Sequence, residues 1–229
     1  MFQKILRTLA GILLIPVAIG AGKAFCTSVA EISLFSGVLR LFERGVLVYL
    51  LIHVMVFRPI YLYVLGHEFV HVLATWFTGG KVMSFKVAPS GGNVVTSKTN
   101  FFIELSPYFV PIYTIAAGLV FMVLGMMGRQ TASASSTFIF TVGFTMAFHF
   151  VMTSEVLRME QPDIIKSGFI FSLVLIFVAN LIVIMAVFSP IFSQLSFISF
   201  LKSSAANSWE LYRTIYATSL EFVNKIRFW

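Results

Sequence analysis

Residues 67–71 read His67-Glu68-Phe69-Val70-His71. On a helix, positions four apart differ by about 40° in azimuth and stand one turn apart in height. Both imidazoles therefore point the same way and can reach one ion. Glu68 lies one step from His67 on the adjoining face, placed to meet a water on that ion rather than the ion itself. Two histidines that bind and a glutamate that takes the proton of the water are the layout of a zinc hydrolase. The pattern uses two of the four histidines in the chain. It also falls inside an apolar segment, where a His, a Glu and a second His are expensive to bury unless something neutralises them. A divalent metal does so.

A catalytic zinc takes three protein ligands and leaves a position for water, so one ligand must come from elsewhere in the chain. Asp163 is the only aspartate. It follows Pro162 between two apolar segments, where an unwound backbone would let its carboxylate turn inward. Its other reading is a helix N-cap. His149, in Phe148-His149-Phe150, is the alternative third ligand, with a supporting or substrate-facing role as its other reading. An unbroken helix would put the two about 21 Å apart, so both cannot hold one ion. His53 reads as structural. Glu104 and Glu155 read as carboxylates at the membrane interface. Asn180 sits in an apolar segment and reads as a bridge between helices or a contact for substrate backbone.

The elements that must position these residues are membrane helices. Of 229 residues, 59% are hydrophobic and 11% are charged, against about 25% charged in a soluble domain. A span needs about 20 apolar residues, so the expected fold is an all-α polytopic membrane protein of about six transmembrane helices. They are placed near 5–22, up to 57, 60–77, 105–127, 137–157 and 168–188. The first apolar run reads as an uncleaved span. A short β-hairpin is expected after the HExxH helix, with strands at 81–88 and 93–97 around a Pro89-Ser90-Gly91-Gly92 turn. Arg129 to Ser136 reads as a loop.

The whole chain, 1–229, reads as one transmembrane domain. Its catalytic core is about 45–190, and an amphipathic tail at 195–229 carries Trp209, Tyr212, Tyr216, Val223 and Ile226 on one stripe, suited to the membrane surface. The net charge of +7 comes from basic residues scattered at segment ends, where they meet lipid headgroups. It gives no nucleic-acid surface. One cysteine, Cys26, excludes an intrachain disulfide.

At this level the sequence resembles the site-2 protease family of intramembrane zinc metalloproteases, in particular its small bacterial branch without a PDZ domain. The resemblance is carried by Gly66-His67-Glu68-Phe69-Val70-His71, by Thr78-Gly79-Gly80-Lys81-Val82 and by the Gly91-Gly92-Asn93 turn region, together about Leu65 to Thr96. It implies a three-helix catalytic core, one zinc ion per chain on His67 and His71, and an aspartate from a later span as third ligand. Asp163 alone can be that aspartate, although Gln161-Pro162-Asp163-Ile164 differs from the family's usual Leu-Asp-Gly.

The implied activity is hydrolysis of peptide bonds in transmembrane protein substrates, with Glu68 as general base, in a multi-pass protein of the bacterial inner membrane. Partners would be the bilayer, the substrate and a regulatory membrane protein. An exposed strand edge could hold the substrate extended, which makes Val94 and Val95 substrate contacts, with Asn180 as a third. The rival classes are a non-catalytic membrane scaffold derived from such a protease, a transporter, and a zinc hydrolase acting on lipid. A scaffold has no use for Glu68, and the chain lacks the paired broken helices of a transporter.

Overall fold

The computed structural model describes residues 2–34, 36–88, 90–159 and 161–227. Pro89 of the expected turn and the last two residues of the tail lie outside them. The chain runs α1 (Phe2–Val29), α2 (Gly37–Met55), α3 (Ile60–Phe77), β1 (Val82–Ala88), β2 (Gly91–Thr96) and α4 (Phe101–Leu105). After a 3-10 turn at Ser106–Tyr108 come α5 (Ile112–Met126), α6 (Ala132–Leu157), α7 (Pro162–Ser167), α8 (Phe169–Phe188) and α9 (Phe197–Arg227).

Among the described residues, Ile5–Val29, Ala132–Leu157 and Phe169–Phe188 are each long and apolar enough to cross a membrane. The pairs α2 with α3, bent by 120°, and α4 with α5, bent by 77°, bring the number to five if each pair is one span. The protein is thus a helical membrane protein with three to five candidate spans. The six spans expected from the sequence require α2 and α3 to be separate crossings. Arg58-Pro59 does break the chain there, as a proline after a helix must, but neither piece passes alone. Pro107 and Pro111 likewise divide the fourth segment, and its helix proper starts only at Ile112. The expected loop at Arg129–Ser136 is shorter, because the Thr131 hydroxyl caps α6 by accepting from the Ala134 amide at 3.1 Å.

The elements form two compact units. In one, α8 and α9 both pack on α1. Gly11 lets the backbone of Phe171 approach, and Gly20 does the same for Ser208. Asn207 donates to the Gly20 carbonyl at 3.3 Å and the Tyr212 hydroxyl donates to Leu13, so α9 runs antiparallel to α1. The amphipathic tail is therefore helical, and its first half is engaged by a neighbouring helix. Trp209, Tyr216, Val223 and Ile226 of its apolar stripe stay exposed.

The second unit holds α2 to α7 and the hairpin. The backbones of α2 and α6 touch where Gly45 meets the Phe140 carbonyl and Gly143 meets the Phe42 carbonyl. Small residues permit such approach between membrane helices. Tyr49, Tyr63, Ala147, Phe148 and Met152 form the core beside this crossing. There α3 lies over the Tyr63–Phe148 ring contact, its centroids 6.4 Å apart at 79°.

Gly79 ends α3 in the left-handed region at φ 71°. Its amide donates to the Trp76 carbonyl at 2.9 Å, and that of Gly80 donates to the Thr75 carbonyl at 2.7 Å, which is how glycines close helices. The chain then enters the antiparallel hairpin, with Ser84 opposite Val95, Phe85 opposite Val94 and Ala88 opposite Gly91. The hairpin stands as the sequence predicted, but Gly91 and Gly92, expected in its turn, belong to β2 and pair with Ala88 and Val87.

Candidate metal centre

The helix α3 puts His67 and His71 on one face, with ring centroids 5.0 Å apart. Asp163 comes to them from the first turn of α7. One ligand atom from each of His67, His71 and Asp163 lies within 4.8 Å of the others. Among the described residues no other His, Cys, Asp or Glu group meets this condition. The unwound backbone expected at Pro162 is replaced by helix. Pro162 opens this short helix, where its fixed φ and missing amide hydrogen cost nothing.

The two histidines are held differently. Nδ1 of His71 lies 2.7 Å from the Ile103 carbonyl oxygen. A carbonyl can only accept, so Nδ1 carries the proton and the neutral ring presents a lone pair at Nε2. Nε2 faces Asp163 Oδ2 at 3.5 Å. His67 is wedged between aromatic rings, with Tyr63 at 5.7 Å and Tyr108 at 5.2 Å between centroids. Burial alone would raise the Asp163 carboxyl. When the His71 ring is protonated at both nitrogens, its hydrogen bond and charge, then His67 and Lys166, more than offset burial and hold the group below its ordinary value; the neutral ring instead turns its Nε2 lone pair toward an ion.

Glu68 is buried, 8% exposed, and its carboxylate lies under the hairpin. A Cβ built on Gly92 would collide with Cγ, Cδ and Oε1 of Glu68, so only glycine lets the strand lie this close. A cavity of about 1050 Å³ opens beside the group. It is lined by His67, Glu68, His71 and Asp163 and by the hairpin from Ser90 to Val94.

Of the expected substrate contacts, Val94 lines this cavity. Val95 is 45% exposed and faces the other side, as alternation along a strand requires. Asn180 lies on α8 in the other unit and donates to the Ile176 carbonyl at 2.9 Å. His149 is not in the ligand group. It is buried on α6, and its ring lines a small void behind His67 together with Gly66, Tyr113 and Phe148.

Two carboxylates read as interfacial are engaged within the protein. Glu155 accepts from His53 at 3.2 Å and from Arg58 at 3.5 Å, while the other ring nitrogen of His53 meets the Tyr49 hydroxyl at 3.0 Å. Glu104 is buried at 8% exposure. The signal for it was present in the sequence, since a carboxylate in the otherwise apolar run Phe101–Leu105 needs a partner.

The residues fit a zinc ion. Two imidazoles and one carboxylate are a catalytic donor set. The Ile103 carbonyl supplies the outer contact that fixes a ligating histidine, and the cavity leaves room for further groups on the Glu68 side. Comparisons with protein-family models, with curated proteins and with solved structures find no match to the chain, and the functional reading rests on these residues.

Proposed function

We propose that the chain is an intramembrane zinc metalloprotease of the site-2 protease kind. The observation that carries this reading is the convergence of His67, His71 and Asp163 beside Glu68, at one open cavity, in a chain of membrane-spanning length and composition. Zinc held by the three side chains would supply a Lewis acid that polarises a water and a carbonyl oxygen.

The chain's own residues do the rest. Glu68 accepts the proton of the attacking water and returns it to the departing amine. The Ile103 carbonyl keeps Nε2 of His71 aimed at the site. The hairpin bounds the cavity, and its strand backbone offers a substrate the pairing that holds an extended peptide. Val94 is the side chain that would meet it.

The test is zinc per chain in detergent-purified protein, together with cleavage of single-span test proteins in liposomes. About one zinc per chain is expected, with cleavage lost to a chelator and restored by zinc. Folded protein that carries no zinc would end this reading.

Gly92 provides a finer check. In Gly92→Ala the new methyl group displaces the Glu68 side chain, the flexible partner in that contact. A misplacement of about 1 Å at a reacting group costs up to about 100-fold in rate. Cleavage should fall by at least about tenfold while zinc content and thermal midpoint stay at wild-type values. An unchanged rate would show that the hairpin does not set the position of Glu68.

A further inference from the structure

Glu104 stands on α4, a helix of five residues whose start is capped by Asn100, its Oδ1 accepting from the Ile103 amide at 2.9 Å. The two carboxylate oxygens of Glu104 have separate partners. Oε1 accepts from the Thr99 hydroxyl at 3.2 Å, and Oε2 accepts from the hydroxyl of Ser167. Ser167 is fully buried and is the last residue of α7, the helix whose first turn carries Asp163. Asp163 and Ser167 are four residues apart and so share one face of that helix. On the other side of Glu104, the neighbouring Ile103 carbonyl receives the Nδ1 hydrogen of His71. Adjacent residues of one short helix thus engage His71 and the helix that bears Asp163.

We infer that Glu104 is a positioning residue, whose carboxylate clamps α7 to α4 and so sets where Asp163 stands relative to His71. The inference rests on the reading of His67, His71 and Asp163 as a metal site. Two physical arguments support it. A six-residue helix does not hold itself, because helices this short are unstable without tertiary contacts. This one starts at a proline and ends at Ser167, before Gly168, where φ is 90°, so it needs an anchor at its C-terminal end. A buried carboxylate is also a costly way to fill space, and an apolar side chain of similar size would pack with less penalty. Its use here is direction: two oxygens, two hydroxyl donors, and a fixed distance between two backbone segments.

The experiment is a zinc titration of the full chain in detergent, stripped of metal, in competition with a chelator of known affinity. Wild type, Glu104→Ala, Glu104→Gln and Ser167→Ala are compared, and visible spectra are taken after loading with cobalt. Glu104→Ala should bind zinc at least about tenfold more weakly, in the range expected for loss of an outer partner of a metal ligand, and its cobalt spectrum should change. Ser167→Ala should shift both readings in the same direction. Glu104→Gln should bind close to wild type, because its amide oxygen still accepts from Ser167 and the Thr99 hydroxyl can turn to accept from its NH₂ group.

A purely structural role would lower the thermal midpoint of the metal-free protein without this rescue pattern. If Glu104→Ala does not fold, Ser167→Ala, which loses one oxygen atom, carries the test. Wild-type affinity in both alanine variants would overturn the inference and leave the metal site standing. A wild-type protein that binds no zinc would overturn both, and its titration alone tells the two failures apart.

Discussion

Glu68→Gln should reduce cleavage by about 10²- to 10⁴-fold, the usual contribution of a general base, while zinc stays at one per chain. The amide has the shape of the carboxylate and fits the same space beneath Gly92. It cannot take a proton from water. Glu68 is not one of the three converging ligands, so metal binding has no need of its charge. The measurement is cleavage rate and metal content on the same preparation. Loss of rate with retained metal places proton transfer on Glu68. A variant that still cleaves within a few-fold of wild type would remove Glu68 from the mechanism.

Asp163→Ala should lose zinc, with affinity falling by more than the roughly 10–100-fold that removal of an outer partner costs. His149→Ala should retain one zinc per chain. The grounds are geometric: Asp163 lies within ligand distance of both histidines, whereas His149 lies outside that group. Metal analysis of both variants after dialysis separates them. Zinc retained by Asp163→Ala and lost by His149→Ala would reverse the assignment and require α7 to stand elsewhere when the ion is bound.

What could be read from the sequence was local. His67 and His71 declare themselves because one helical turn relates them, and the hairpin because Pro89-Ser90-Gly91-Gly92 interrupts two short β-prone runs. The candidate ligand on α7 stands out in the sequence as the only aspartate, with His149 as its rival, and its placement beside His71 depends on how the chain returns. For Glu104 the apolar flanks show that a partner is needed but not which one, because Ser167 is 63 residues away. The span count failed at prolines. Arg58-Pro59, Pro107 and Pro111 mark breaks, but a break does not state its angle, and a 120° turn changes what counts as a crossing. His149 shows the converse: it lines a small void with His67 and stands outside the group formed by His67, His71 and Asp163.

The group that orients His71 is the peptide carbonyl of residue 103, and every amino acid carries one. Side-chain replacement at that position would therefore register in packing and leave the histidine's partner in place. What this contact does depend on is chain length. Inserting a single residue between Asn100 and Ile103 would carry the carbonyl about 100° around the axis of α4 and strand the imidazole, although each original amino acid would still be present. The contact is encoded by spacing and by the Asn100 cap rather than by the side chain at 103, so substitutions at that position would pass over it.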